Sequence, residues 1–159
     1  MVGRICAAVA IVFLAVPAHG QTATQVVTFQ VTAITEVAVA GNPAPLVINT
    51  ASAGSAPAAV NGTGTSYAIT TNEPNKKITA SMDQPLPAGV TLEVSLAAPD
   101  GAASLGHVAL GTGGTDVVTG ISSTNASALP IIYRLSATTT AATMGPQARV
   151  VTFTIVSGI

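Results

Sequence analysis

The sequence predicts an all-β fold, a single antiparallel β-sandwich, and three observations carry that prediction. Short runs of Val, Thr and Ile alternate apolar and polar residues with period 2. Clusters of Gly, Pro, Asn and Asp separate the runs, as turns do between strands. After residue 20 no window has the i, i+3, i+4, i+7 spacing of an amphipathic helix, and the helix formers Glu, Lys and Leu are scarce. About seven to nine short strands at near-regular spacing form the pattern of a sandwich. An antiparallel barrel is the alternative arrangement of the same strands.

Residues 1–20 read as a cleaved signal peptide. Arg4 is followed by an apolar run over 5–16 and then by Pro17-Ala18-His19-Gly20, with small residues before a cut. The run is too short to cross a bilayer easily, where roughly 20 residues are needed. No second long apolar run follows, so residues 21–159 form one exported domain without a transmembrane segment, and the expected location is secreted, periplasmic or cell-surface. Cys6, the only cysteine, lies in the leader, which removes disulfides and thiolate chemistry from the exported part.

Two strings bracket that domain. Gln25-Val26-Val27-Thr28-Phe29-Gln30-Val31 opens it, and the similar Arg149-Val150-Val151-Thr152-Phe153-Thr154-Ile155 closes it. Each alternates an apolar set (Val27, Phe29, Val31; Val151, Phe153, Ile155) with a polar one, so each is expected to be a half-buried strand. The first is expected to pair within its own chain by default. Because residues 21–35 carry no charge, it is also the candidate for self-association by strand exchange with a neighbour.

Between them, 34–40 continues the first strand or pairs beside it, 46–48 is a short strand after Pro43 and Pro45, and 51–64 is a loop of small residues. Residues 65–71 and 76–82 are strands expected to form a hairpin around Asn72-Glu73-Pro74-Asn75. Val90, Leu92, Val94 and Leu96 alternate most cleanly. Pro99-Asp100-Gly101 is a type I turn. Weaker strands are expected at 105–110 and 116–121, and a strong one at 129–137 with Ile131, Tyr133 and Leu135 on one face.

Composition narrows the function classes. Charged residues make up 7% of the chain, against about 25% in an ordinary domain. The exported bases Lys76, Lys77, Arg134 and Arg149 form no patch, so nucleic acid is not an expected partner. No catalytic, cofactor or metal residues are assigned. His107 is the only exported histidine and falls on an exposed strand position without a nucleophile beside it. Asp83 and Asp100 sit in turns, Glu93 on a polar strand face, and nothing pairs any of these with Asp116 as a glycosidase would require. The loop Gly111-Thr112-Gly113-Gly114-Thr115-Asp116 could hold calcium through Asp116 and carbonyls, but one imperfect copy of a glycine-aspartate repeat is not a site. Asn61 and Asn125 match the glycosylation pattern in expected loops. There is no Trp, and Tyr67 and Tyr133 lie on apolar faces, so a sugar platform is not expected.

From Tyr133-Arg134-Leu135-Ser136-Ala137 through Gly145 to Val150-Val151-Thr152-Phe153-Thr154-Ile155, the chain resembles the closing strands of small bacterial surface sandwiches: fimbrial subunits, spore-coat-U proteins and WxL-type proteins. The fimbrial cysteine pair and the Trp-x-Leu signature are both absent. The resemblance implies an immunoglobulin-like fold and a structural role. The expectation is therefore a non-enzymatic exported structural, adhesive or assembly subunit. The alternative is a module binding calcium or a glycan through the loops 49–64 and 111–116.

Overall fold

The computed structural model describes residues 20–158. The expected signal peptide and Cys6 lie outside the described residues, Gly20 excepted. Two compact units divide between residues 31 and 32, and the second, Thr32–Ile159, holds all nine strands found among the described residues.

The strands are β1 (Thr35–Ala40), β2 (Val60–Thr71), β3 (Lys76–Met82), β4 (Val90–Leu96), β5 (Ala103–Ser104), β6 (Val108–Ala109), β7 (Thr115–Ile121), β8 (Thr124–Ala137) and β9 (Val151–Ser157). They form two antiparallel sheets, a five-stranded one in the order β1-β2-β8-β4-β6 and a four-stranded one in the order β5-β7-β3-β9. Both sheets contribute to one apolar core, an arrangement consistent with a sandwich.

The core follows from the alternation. Tyr67 and Ile69 on β2, Ile78, Ala80 and Met82 on β3, Val94 and Leu96 on β4, and Ile131 and Tyr133 on β8 are buried. The intervening residues are the more exposed set on each strand. Polar groups inside are satisfied, as burial requires. The Thr65 hydroxyl donates to the Ile131 carbonyl at 3.1 Å, and the Tyr67 hydroxyl donates to the Ala97 carbonyl.

Several expectations need correction. Residues 65–71 and 76–82 do not form a hairpin, because β2 and β3 belong to different sheets and 72–75 crosses between them. Each strand has a buried face, and a crossing sets those faces against each other across the core. The crossing is tied to the β7–β8 connection: Asn75 N donates to Ser122 Oγ at 3.0 Å and Ser123 N to the Glu73 carbonyl at 3.2 Å. Asn75 adopts φ 50, a left-handed conformation that Asn tolerates.

Of the expected strand at 105–110 only β6 (Val108–Ala109) forms, in the five-stranded sheet, while β5 just before it joins the four-stranded one. Residues 46–48 form no strand. Leu46 instead packs over Gly62, where an added Cβ would sit 2.8 Å from the Leu46 Cδ2 atom. β2 begins at Val60, inside the expected loop, because irregular register between Gly62 and Thr65 absorbs the extra residues.

Gly89 opens β4 at φ 80, and its carbonyl accepts from both the Thr138 N and Oγ1 atoms. A Cβ there would meet Thr138 Oγ1 at 2.7 Å and Ala141 N at 2.9 Å. Gly89→Ala is therefore expected to lower the unfolding free energy by at least about 1–2 kcal/mol, the cost of the left-handed backbone alone. Urea denaturation would measure it, and an unchanged midpoint would refute the strain argument.

Candidate functional site

The charged groups that sequence reasoning singled out are dispersed. Lys77 Nζ contacts Asp116 Oδ2 at 3.0 Å across β3 and β7, and Arg134 Nη1 contacts Glu93 Oε2 at 3.5 Å across β8 and β4. Asp83 accepts a hydrogen bond from Val150 N at 2.9 Å, and Asp100 lies in the turn closed by Ala102 N to the Pro99 carbonyl. His107 is exposed in a bend just before β6 rather than on a strand. Among the described residues no three of His, Cys, Asp and Glu cluster as metal ligands would.

The candidate loops are engaged within the fold. The Gly111 carbonyl accepts Met82 N at 2.7 Å, and Asp116 of the same loop holds Lys77. Asn61 and Asn125 lie on β2 and β8, opposite Arg134 and Thr70, and not in loops as expected. Tyr67 and Tyr133 are buried, and burial raises the pKa of both phenols.

One polar cluster was not foreseen. Glu73 Oε2 accepts the Thr35 hydroxyl at 2.6 Å and lies 3.0 Å from Lys76 Nζ, and these contacts, Thr35 first, hold its carboxyl below the usual range. Beside it, Asn72 pins the residues before β1. Its Nδ2 donates to the Thr32 carbonyl, and its Oδ1 accepts Ile34 N, each at 2.8 Å. The Asn72 backbone N also donates to the Ile34 carbonyl at 3.2 Å. This clamp fixes where the strand-bearing unit begins. Its only sequence signal is an Asn after a strand, which is common in turns.

Among the described residues, two elements have fewer strand partners than their sequence would suit. The first is 25–31, expected to be a strand. No residue from 20 to 34 lies in a strand, and the side chains of the alternating apolar set are open to solvent, with Val27 72%, Phe29 89% and Val31 79% exposed. The physical reason for the correction is that β1 begins only at Thr35, after the Asn72 clamp, and a strand without a ladder partner leaves its backbone groups to water.

The second element is β9, which among the described residues pairs with β3 alone, with β1 of the other sheet lying close to it. The register Ile78↔Ile155 continues outward to the Asp83 N to Val150 carbonyl bond at 3.0 Å and the Gly158 N to Asn75 carbonyl bond at 2.6 Å. Antiparallel ladders alternate between hydrogen-bonded and non-bonded pairs. Residues 150 and 158 are bonded pairs, so even-numbered residues of β9 face β3 with their backbone groups. The N–H and C=O of Val151, Phe153, Ile155 and Ser157 therefore point away from the sheet. The side chains of Val151, Phe153 and Ile155 pack against the core but are only half-buried.

Comparison of the chain with protein-family models, with curated proteins and with solved structures gives no match. Among the described residues, no helix is long and apolar enough to cross a membrane.

Proposed function

We propose that this protein is a non-enzymatic structural subunit, exported by the leader at residues 1–20 to the periplasm, the cell surface or the medium, and assembled with copies of itself through residues 25–31. Its fold is read as immunoglobulin-like, supported by the two antiparallel sheets sharing one core. The observation that carries the reading is the exposed alternating set Val27, Phe29 and Val31 in a segment that forms no strand. Each such side chain gains roughly 1.5–3 kcal/mol on full burial, a strong drive towards an added ladder. Low charge supports the same reading, because sheet edges without charges meet with little repulsion or desolvation cost.

Deletion of 21–31 tests the proposal. The exported chain is expected to elute as oligomers in size-exclusion chromatography and the shortened chain as a monomer. Identical elution of the two would refute assembly through this segment.

A further inference from the structure

We propose that Asp100 isomerises spontaneously to isoaspartate in the folded protein, through a cyclic imide formed with Gly101, while Asn61-Gly62, the more reactive pair in a free chain, is held inert by β2. The chain has one Asn-Gly pair and one Asp-Gly pair, at 61–62 and 100–101. Both invite the same ring closure, because glycine places no side chain beside the attacking main-chain nitrogen. In an unfolded chain Asn61 goes first, since a neutral amide closes more readily than a carboxyl that is ionised at neutral pH. The fold reverses that order.

The chemistry sets what each site must allow. The Gly101 nitrogen bonds to Asp100 Cγ, and the hydroxyl of the acid leaves as water with the proton from that nitrogen. Water then opens the imide at one of its two carbonyls. Opening at Cγ restores aspartate, whereas opening at the main-chain carbonyl leaves the chain running through Cγ, which is isoaspartate. One water leaves and one returns, so the mass is unchanged. At Asn61 ammonia leaves in place of the first water, and the product is an acid. In both cases the nitrogen must swing onto the Cγ of the residue before it, which needs rotation about that residue's Cα–C bond and space for the ring.

Asp100 has both. It and Gly101 are exposed in the turn between β4 and β5, and a Cβ built on Gly101 would meet no atom within 4 Å. The bond that closes the turn, Ala102 N to the Pro99 carbonyl at 3.1 Å, does not use the Gly101 N–H. Asn61 has neither. It is paired with Arg134, and Gly62 with Tyr133, so rotation at Asn61 would pull β2 off β8. Gly62 is buried against Leu46 and Pro43, whose Cδ2 and Cβ atoms lie 2.8 and 3.3 Å from where its own Cβ would sit. Ring closure there waits for local opening of the strand, and an opening that costs even a small part of the global stability slows it by about an order of magnitude. Isoaspartate adds a carbon to the main chain where it passes from the five-stranded sheet to the four-stranded one, so this connection lengthens as the molecule ages.

The test compares the two sites within one molecule. Asp100→Asn makes both pairs Asn-Gly and removes the difference between acid and amide. When the folded variant is incubated in warm neutral buffer and mapped by peptide mass spectrometry, position 100 is expected to lose its amide at least about tenfold faster than Asn61. In denaturing urea the two are expected to react at similar rates. In the wild-type chain, electron-transfer fragmentation, which tells the two aspartyl isomers apart, is expected to find isoaspartate at Asp100 while the Asn61 amide is intact. Equal rates in the folded variant, or loss of the Asn61 amide before isoaspartate builds at Asp100 in the wild type, would overturn the proposal. A tenfold gap that persists in urea would overturn it as well, by placing the cause in the neighbouring residues and not in the fold.

Discussion

Ile78→Ala is expected to destabilise the domain by about 2–5 kcal/mol, the range for truncating a fully buried Ile to Ala. Ile78 is 0% exposed on β3, the strand paired on both sides, and its register neighbours are Val118 on β7 and Ile155 on β9. A cavity there cannot be closed by one loose neighbour, because the flanking strands are themselves tied to β3. Thr154→Ala, on the exposed face of β9, is expected to stay within about 0.5 kcal/mol of wild type, as surface changes do. Equilibrium urea denaturation with matched slopes separates the two. An Ile78→Ala loss below about 1 kcal/mol would mean that the two sheets close over the gap and that β3 is not the rigid centre described above.

Alkaline pH is expected to unfold the protein through Tyr67. Burial pushes its phenol from 10.0 up to about 12, and the side chain is only 2% exposed. In the unfolded chain Tyr67 ionises near pH 10, whereas in the folded chain it keeps its proton until about pH 12. Between these values the unfolded state binds fewer protons, so stability falls as pH rises. The contribution is fully present below pH 10, and the loss amounts to roughly 2–3 kcal/mol by pH 12. Tyr133, also raised by burial, acts in the same direction. Tyr67→Phe should start lower, since the Ala97 carbonyl loses its donor at a cost of about 1 kcal/mol, but should lose less between pH 10 and 12. Equal alkaline losses in wild type and variant would refute the assignment.

Strands with strict alternation were legible in the sequence. Val94 and Leu96, Ile78, Ala80 and Met82, and Ile131 and Tyr133 all reach the core as the period-2 pattern requires. Sheet membership was not legible, because the alternation of 65–71 and 76–82 is the same whether a turn pairs two strands or carries the chain across the core. What decided the matter lies far away in sequence, in the bonds from Asn75 to Ser122 and from Ser123 to Glu73. The ends of β2 were obscured by Gly62 and Gly64, which read as loop residues but lie within the strand. The candidate site was half legible. The likeness of 25–31 to 149–155 is plain in the sequence. That only the second lies in a sheet depends on the Asn72 contacts and on β9 having a neighbour on one side, neither of which is written in local pattern.

The crossing at 72–75 also bears on how the chain folds. Without a β2–β3 hairpin, β2 finds its second neighbour only in β8, with Val60 opposite Leu135, and β3 its second only in β9, with Lys76 opposite Ser157. Partners this distant make loop closure the slow step and place the domain among the millisecond-to-second folders. The four-stranded sheet cannot be completed until its last strand has emerged, so the nascent chain stays open for most of its synthesis. That delay arises from strand order alone.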